Sequence, residues 1–323
     1  MFLLELIQWI VVVIFAIRIL VELYRYFNAI PFRWYNDGNQ WAVITGGNDG
    51  IGFEFAQQLA NKGYNLMLIS RNDTRLNQAR TRILNNLNSD TKIEIRTLAV
   101  DFSKLDIYDK VEEFIQPKVN DVYILVNNVG AAPSIPDYFT NEDTLHHDEL
   151  INVNVVTITK LIEIILPMMV EKKRGLIISV TAIWARYLAP MWSMHSATKS
   201  YMAQLCQCLA EEYDSSGIAF CTLYTGGVST KMAHNVRPNI TIPRAECYVQ
   251  SVLKSIKRCG NNTWTGYWSH ELIHYWFEFM SMLGTKQVIG EFLHWFTRKY
   301  RALLLKRKSG NPLEINVRNL LES

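Results

Sequence analysis

The sequence is poor in cysteine and nearly balanced in charge. Five cysteines occur in 323 residues, and they form neither a C-x-x-C pair nor the spacing of a zinc site. Cys206 and Cys208 lie two residues apart in a predicted helix, so they face different directions. We therefore expect no metal centre, and we favour reduced thiols in a cytosol-facing domain over disulfides. The formal net charge of +3 gives no general nucleic-acid footprint, so no nucleic-acid partner is expected.

One long apolar run lies near the N-terminus, and no cleavage site follows it. Residues 9–17 are uninterrupted apolar, and the wider window 2–20 contains only Glu5, Gln8 and Arg18 as polar breaks. That length is close to the roughly 20 residues that span a bilayer. Without a small-residue cleavage site, a membrane anchor is favoured over a removable signal peptide. A helix that lies on the membrane surface is the alternative, because Glu5 and Arg18 are charged.

Basic residues are absent before this run and present after it. Arg18, Arg25 and Arg33 follow the apolar residues. The positive-inside rule then places the body of the protein on the cytosolic side of the membrane. We expect a membrane anchor at residues 1–27, a linker at 28–39, a domain at 40–260 and an extension at 261–323.

A glycine-rich segment, Thr45–Gly52, connects an apolar run with a predicted helix. The run 41–44 reads as a strand, and residues 53–60 read as the helix. Backbone N–H groups at such a helix start can hold a phosphate, and glycine lets the backbone approach a pyrophosphate closely. The alternative is a plain strand–helix turn. We favour a dinucleotide site, whose predicted contacts are Thr45, Gly46, Gly50, Ile51 and Gly52.

Strands and helices alternate along the rest of the body. Further predicted strands are at residues 65–69, 93–100, 123–126, 175–180 and 218–223, with helices around 150–170 and 196–213. Repeated βαβ units predict a parallel, doubly wound α/β sheet. The fold class expected is therefore a single Rossmann-type domain behind an N-terminal anchor helix.

The T-G-x-x-x-G-x-G spacing at Thr45–Gly52 resembles the short-chain dehydrogenase/reductase family. Asp101 resembles the family's aspartate at the adenine edge, and residues 127–130 resemble its N-N-x-G turn, which begins with Asn127. After the sixth strand, Thr225 stands where the family usually has proline. The resemblance implies that Gly226 and Thr230 cover the nicotinamide side of the cofactor.

The resemblance also implies four catalytic positions: tyrosine, lysine, serine and asparagine. Lys199 and Asn154 match two of them. The residue four before Lys199 is His195 instead of tyrosine, and Ala182 stands at the serine position. Thr181 is no automatic substitute, because adjacent residues of an extended segment point to opposite faces.

Histidine at the tyrosine position changes the proton chemistry. The pKa of histidine starts near 6.5, and a neighbouring Lys199 ammonium disfavours a second positive charge. Neutral imidazole is a poor proton donor, and general acid catalysis contributes about 10²–10⁴-fold. Impaired or absent activity is the favoured interpretation. A retuned reductase that uses His195 as its acid is the alternative.

Arg71 bears on the choice of cofactor. NAD-specific sites usually carry an acidic residue after the second strand, to bind the ribose hydroxyls. Here the strand ends in Ser70-Arg71, and an arginine can pair with a 2′-phosphate. NADP(H) is therefore favoured over NAD(H), and a solvent-facing arginine without such a role is the alternative.

Three further segments resemble one branch of the family, the membrane-bound hydroxysteroid dehydrogenases and very-long-chain oxoacyl-CoA reductases. They are the N-terminal apolar run, Leu68–Arg71 and Thr265–His270. The branch includes members that lack the catalytic tyrosine and are described as inactive. The resemblance implies a lipid or steroid ketone as substrate or ligand. It also implies the endoplasmic reticulum membrane as location, with the domain facing the cytosol, and a homodimer as one assembly.

The C-terminal region is rich in aromatic residues between 271 and 300 and basic between 298 and 308. Charged residues interrupt the aromatic stretch, so it is not a second clean membrane span. It fits either an interfacial helix pair that roofs the substrate entrance or ordinary core packing. The basic stretch fits either contact with anionic lipid or a solvated tail.

Overall fold

The computed structural model describes residues 34–88, 91–115, 121–141, 144–233, 236–256, 261–282 and 286–308, together with Phe32 and seven positions between 9 and 20. The expected anchor, residues 1–27, lies largely outside these described residues, as do most of residues 28–33.

Seven parallel strands form one sheet in the order β3-β2-β1-β4-β5-β6-β7. Strands β1, β2 and β4 are buried along their whole length, which explains their continuous apolar sequences. The parallel, doubly wound α/β sheet expected from the sequence is confirmed. The strands are β1 Trp41–Thr45, β2 Asn65–Ser70, β3 Ile95–Ala99, β4 Val122–Asn127, β5 Gly175–Ala182, β6 Ile218–Thr225 and β7 Asn261–Trp264.

Helices cover both faces of the sheet. The helices are α1 Gly50–Ala60, α2 Asp73–Asn85, α3 Tyr108–Ile115, α4 Thr144–Ile151, α5 Thr157–Lys172, α6 Ser193–Glu212, α7 Ala245–Ser255, α8 Trp268–Met282 and α9 Lys286–Lys308. A π-helical turn, Asn152–Val156, joins α4 to α5. One apolar cluster includes side chains of α1, α2 and α7 against the sheet, and a second includes those of α3, α5 and α6.

One helical stretch among the described residues, His146–Lys172, is long and apolar enough to cross a membrane. Its residues Leu161 and Ile165 are fully buried in the second apolar cluster. We therefore assign it to the core of the domain, so it is distinct from the N-terminal segment that the sequence proposes as anchor.

Helix α7 and strand β7 were missed by the sequence analysis. Strand β7 pairs with β6 from Phe220 opposite Asn261 to Leu223 opposite Trp264. The sheet therefore continues beyond residue 260, where the sequence placed the end of the domain. An edge strand pairs on one side only, and this one is short and mostly polar, so it lacks the apolar pattern of the central strands.

Part of the expected linker packs against the sheet. The Phe32 ring lies 5.0 Å from the Trp34 ring and 5.9 Å from that of Tyr123, at the amino end of β4. Tyr64 donates a hydrogen bond to the Tyr35 carbonyl at 2.9 Å. Aromatic rings gain from burying their large apolar area, which explains why this segment is packed rather than free.

Helices α8 and α9 close over the carboxyl side of the sheet. Phe277 and Leu293 are buried between them, with Trp184 and Tyr187 of the segment after β5 packed alongside. Arg301 of α9 donates to Asp137, in the segment after β4, at 2.7 Å.

Candidate active site

The candidate site begins at the carboxyl ends of β1 and β4, where the order of the sheet reverses. Ligands of open α/β sheets bind in the crevice at such a switch point. Gly46 and Gly50 have φ values of +66° and +53°. A Cβ on Gly52 would lie 2.3 Å from the Gly46 carbonyl oxygen, so no side chain fits there. Ile51, by contrast, packs its side chain against the α1 side of the core.

Thr45 and Asn128 tie the two strand ends together. The Thr45 hydroxyl donates to the Val126 carbonyl at 3.2 Å and accepts from the Asn128 backbone N–H at 3.1 Å. The Asn128 amide donates to the Thr45 carbonyl at 2.9 Å. This asparagine belongs to the N-N-x-G turn, and it fixes the glycine-rich turn directly, a role that the sequence alone did not assign.

Asn127 is a buried amide that the described residues leave unpaired. Its side chain is 2% exposed, and neither its oxygen nor its nitrogen has a hydrogen-bond partner among the described residues. Leaving a buried polar group unpaired costs about 1–3 kcal/mol. The unsatisfied amide, at the end of β4 beside the glycine turn, therefore indicates that a polar ligand completes this crevice.

Arg71 and Asp101 lie together after β2 and β3. Arg71 is exposed. Burial raises the pKa of Asp101, but hydrogen bonds from Ser103 and the charges of Arg71 and Lys104 outweigh it, so the net shift is downward. The two residues predicted for the adenosine end of a dinucleotide are thus neighbours, with an accessible guanidinium.

Lys199 is buried on α6 beneath the segment after β4. Its ammonium donates to the Val180 carbonyl at 3.1 Å. A Cβ on Gly130 would lie 3.0 Å from the Lys199 Nζ, so the glycine of the N-N-x-G turn permits this close approach. Burial lowers the pKa of Lys199 to about 8, which leaves it mostly charged at neutral pH.

Asn154 lies at the centre of the π-helical turn and is fully buried. Its oxygen accepts from the Ala131 N–H at 2.8 Å, and its amide nitrogen donates to the Ala131 carbonyl at 2.9 Å. The same nitrogen donates to the Thr198 hydroxyl at 3.0 Å. Single π turns are rare in proteins, and many of those that occur lie at functional sites.

His195 occupies the expected tyrosine position on α6, and 7% of it is exposed. Its Nδ1 lies 3.1 Å from the Ala131 carbonyl oxygen. A carbonyl only accepts, so Nδ1 carries the hydrogen and Nε2 of the neutral ring is left as an acceptor. Burial and then the charge of Lys199 lower the pKa of His195 to about 4, against the opposing effect of the Ala131 hydrogen bond.

Among the described residues, the hydroxyls of Thr181, Tyr187 and Tyr201 are bonded elsewhere and do not replace the missing tyrosine and serine. Ala182 ends β5 opposite Thr225, and Thr181 donates its hydroxyl to the Lys199 carbonyl at 2.8 Å. The Tyr187 hydroxyl is bonded to the His274 ring and carbonyl, and that of Tyr201 to Thr159.

The segment after β6 crosses to the glycine-rich turn. A Cβ on Gly50 would lie 3.2 Å from the Thr230 Cγ2, and the Lys231 ammonium lies 2.5 Å from the Asp49 carboxylate. Asp49 also caps α1, accepting from the Gly50 N–H at 2.8 Å. The structure therefore brings the predicted residues of β1, β4, α6 and β6 around one crevice and adds a charged pair across it.

A second residue whose role was not predicted from the sequence, His270, supports this segment from the C-terminal side. The His270 ring lies against Gly226, where a Cβ would be 2.9 Å away, and its Nε2 lies 3.0 Å from the Thr241 carbonyl. His270 belongs to the segment Thr265–His270 already singled out for its resemblance, which was the available signal.

Comparisons with known proteins find one family model and several curated relatives that the chain resembles. A family model described as short chain dehydrogenase matches residues 40–241. Very-long-chain 3-oxoacyl-CoA reductase of Mus musculus is 38% identical over 237 residues, which cover 72% of this chain and 73% of that protein. The 17-beta-hydroxysteroid dehydrogenase type 3 of Danio rerio is 35% identical over 261 residues, covering 80% and 82%.

Solved structures share the fold at lower identity. A short-chain dehydrogenase from Sphingobium yanoikuyae in complex with NADPH has a TM-score of 0.60 and 23% identity, covering 66% of this chain and 83% of that one. A 7beta-hydroxysteroid dehydrogenase has a TM-score of 0.65 and 19% identity, covering 76% and 96%.

Proposed function

The chain belongs to the short-chain dehydrogenase family, and we propose that it is a membrane-anchored, NADP(H)-binding member whose carbonyl reduction is impaired or lost. The family resemblance predicted from the glycine-rich motif is confirmed by the match over residues 40–241 and by the curated relatives. The relatives' names motivate the ligand class: a lipid or steroid ketone.

The crevice residues fit NADP(H). Gly46 and Gly52 leave a backbone cradle at the start of α1, Asn127 offers an unpaired amide, and Arg71 offers a guanidinium for a 2′-phosphate. When bound, the cofactor would supply the hydride. Lys199 would hold the ribose from beneath the segment after β4.

The observation that carries the impaired-activity proposal is the state of His195. A reductase must deliver a proton to the oxygen that receives the developing charge. With its Nδ1–H directed at Ala131 and a pKa of about 4, the ring is neutral at pH 7 and holds no transferable proton on Nε2. Ala182 supplies no hydroxyl to orient the carbonyl.

A second candidate function is an active NADPH-dependent ketoreductase that uses His195 as its acid. The supporting observation is that Lys199, Asn154 and His195 all contact one short segment, Gly130–Ala131. In that case binding of substrate must raise the pKa of His195 by several units.

The test is direct titration and turnover with the purified full chain. We expect NADPH to bind more tightly than NADH, and Arg71→Asp to reverse that order. Turnover of a panel of 3-oxoacyl-CoA and 17-ketosteroid substrates should lie far below that of the mouse reductase assayed in parallel. Equal binding of the two cofactors, or binding of neither, contradicts the cofactor proposal. Rapid turnover that His195→Ala abolishes selects the active alternative.

For location, we propose anchoring in the endoplasmic reticulum membrane with the domain in the cytosol. The chain has three Asn-x-Thr sequons, at Asn72, Asn239 and Asn261, and the first two asparagines are exposed. They should carry no glycan in cells. A glycan on either exposed site would put the domain in the lumen.

A homodimer is also proposed, and sedimentation of the detergent-solubilised chain tests it.

A further inference from the structure

We propose that α8 and α9 form a second membrane-contacting surface, which docks on anionic lipid independently of the N-terminal anchor. This inference deepens the proposed membrane location. The surface comprises Trp268, Leu272 and Trp276 of α8 with Phe292 and Trp295 of α9.

The exposed side of α8 is apolar where solvent-facing helices are polar. Trp268, Leu272 and Trp276 recur every fourth residue on one face, and they are 56%, 61% and 53% exposed. The opposite face is buried, with His274 and Phe277 4% and 8% exposed. Core packing is therefore already satisfied by that opposite face, and it leaves the apolar stripe without an explanation.

Exposed tryptophan is concentrated here. Four tryptophans are exposed among the described residues: Trp9 in the N-terminal apolar run, and Trp268, Trp276 and Trp295. Tryptophan is enriched at membrane–water interfaces, where its amphipathic ring suits the headgroup level. The distribution of exposed tryptophan thus favours contact with lipid, rather than with a soluble partner, for the N-terminal apolar run and for the α8–α9 surface.

The charge of α9 favours anionic lipid. Residues 286–308 contain seven lysines and arginines and one acidic residue, Glu291. One of the seven, Arg301, forms a partly buried pair with Asp137 of the same domain. Aromatic residues beside a strong excess of basic ones are typical of helices that lie in an anionic membrane interface.

The surface lies beside the candidate site, where membrane contact would give a lipid ligand direct access. Helices α8 and α9 cover the segments after β4 and β5, through Arg301–Asp137 and through Phe277 beside Tyr187. The first segment contains Ala131, and Ala182 ends β5 just before the second, so both lie at the crevice. Docking α8 and α9 on the bilayer would therefore bring the entrance of the candidate site to the lipid.

The chain between the N-terminal anchor and the sheet is long enough for the anchor and the α8–α9 surface to contact the same membrane. The N-terminal chain joins the sheet at Phe32, beside the amino end of β4, whereas α8 and α9 contact segments that follow the carboxyl ends of β4 and β5. The wider apolar window ends at Leu20, twelve residue steps before Phe32, and a chain of that length can extend to about 40 Å. The strands themselves are only about 13–26 Å long.

The experiment reconstitutes the full chain in phosphatidylcholine vesicles with and without phosphatidylserine, using brominated lipid as a contact quencher. We expect tryptophan fluorescence to be quenched, more strongly with phosphatidylserine. Trp268→Phe with Trp276→Phe should remove much of that quenching, while Trp34→Phe at the amino end of the sheet should not. Equal quenching before and after the double change overturns the proposal.

A matched pair of variants tests whether the effect is specific to the α8–α9 surface or follows from changing any exposed leucine. Leu272→Glu should reduce quenching of the α8 tryptophans, whereas Leu105→Glu should not, since Leu105 is 59% exposed before α3. Two other outcomes overturn the proposal. Quenching that emerges only in a chain ending at Lys308 would show that the C-terminal tail covers the face. A dimer that Leu272→Glu dissociates would show that a second copy covers it.

NADPH titration of the same samples keeps this inference separate from the proposed function. Quenching without NADPH binding would leave the surface standing and remove the cofactor proposal. NADPH binding without quenching would leave the cofactor proposal standing and overturn the membrane-contacting surface.

Discussion

Replacing His195 by tyrosine, together with Ala182→Ser, is expected to create NADPH-dependent carbonyl reduction in this chain. The pKa of His195 is about 4, so at pH 7 about one ring in 10³ is protonated, a deficit of about 4 kcal/mol. A phenol starts near a pKa of about 10, so most of it keeps its proton at pH 7 even when a neighbouring ammonium lowers that value.

The expected gain follows from that difference. His195→Tyr alone should raise the turnover rate by about 10²–10³, within the usual range of general acid catalysis. Ala182→Ser should add a smaller factor. Lys199→Ala should remove the gain, because the buried ammonium no longer tunes the phenol.

The assay is NADPH consumption with 3-oxoacyl-CoA and 17-ketosteroid substrates across pH. Residual activity of the unmodified chain should rise about tenfold for each unit that the pH falls from about 7 to about 5, as the ring gains its proton. The tyrosine variant should be nearly flat over that range. His147→Tyr on α4, the same chemical change outside the site, should behave like the unmodified chain.

Two results would refute the reasoning. The first is rapid turnover by the unmodified chain near pH 7 that His195→Ala abolishes, since histidine would then be the working acid. The second is a restored variant that binds NADPH and still reduces nothing. In that case a proton donor was not the missing element, and Thr225 or a closed substrate channel becomes the candidate block.

Three further predictions concern stability and reactivity. Gly52→Ala should abolish NADPH binding and lower the melting temperature, since its Cβ would collide with backbone, whereas Gly290→Ala in α9 meets nothing closer than 3.5 Å and should do neither. The unfolded chain binds a proton on His195 below a pKa of about 6.5 and the folded chain only below about 4. Stability should therefore fall by about 3 kcal/mol as pH drops between these values, and denaturant titrations of His195→Gln should show a shallower fall. A thiol reagent should label the exposed Cys208 and Cys247 rapidly, while the two described buried thiols, whose pKa values burial raises, react only after unfolding; rapid labelling of all four contradicts this burial pattern.

The central strands and the glycine turn could be predicted from the sequence because their signals are local. Strands β1 and β4 are buried on both faces and read as apolar runs, and Gly52 follows from the close approach of the backbone. Strand β7 could not be predicted. Its position depends on pairing with β6, a contact between residues about 40 apart in the chain.

Within the candidate site, residue types were predictable and their states were not. The sequence identified His195 beside Lys199 and expected a neutral ring. The further drop of its pKa comes mainly from burial, which depends on the folded segment after β4. The pairing of Lys231 with Asp49 joins residues 182 apart, so no local pattern contains it.

The π-helical turn at Asn152–Val156 marks a position where we expect the loss of one residue to preserve the helices on either side. A π turn carries one residue more than regular helix requires, and each helical residue rotates its successor by about 100°. Losing one residue inside the turn would let α4 and α5 run on as a single regular helix, with Leu161 and Ile165 still directed at the sheet. The amide of Asn154 would then leave Ala131. In a lineage of such sequences, this turn is the place where a single codon loss would erase the site and leave the scaffold foldable.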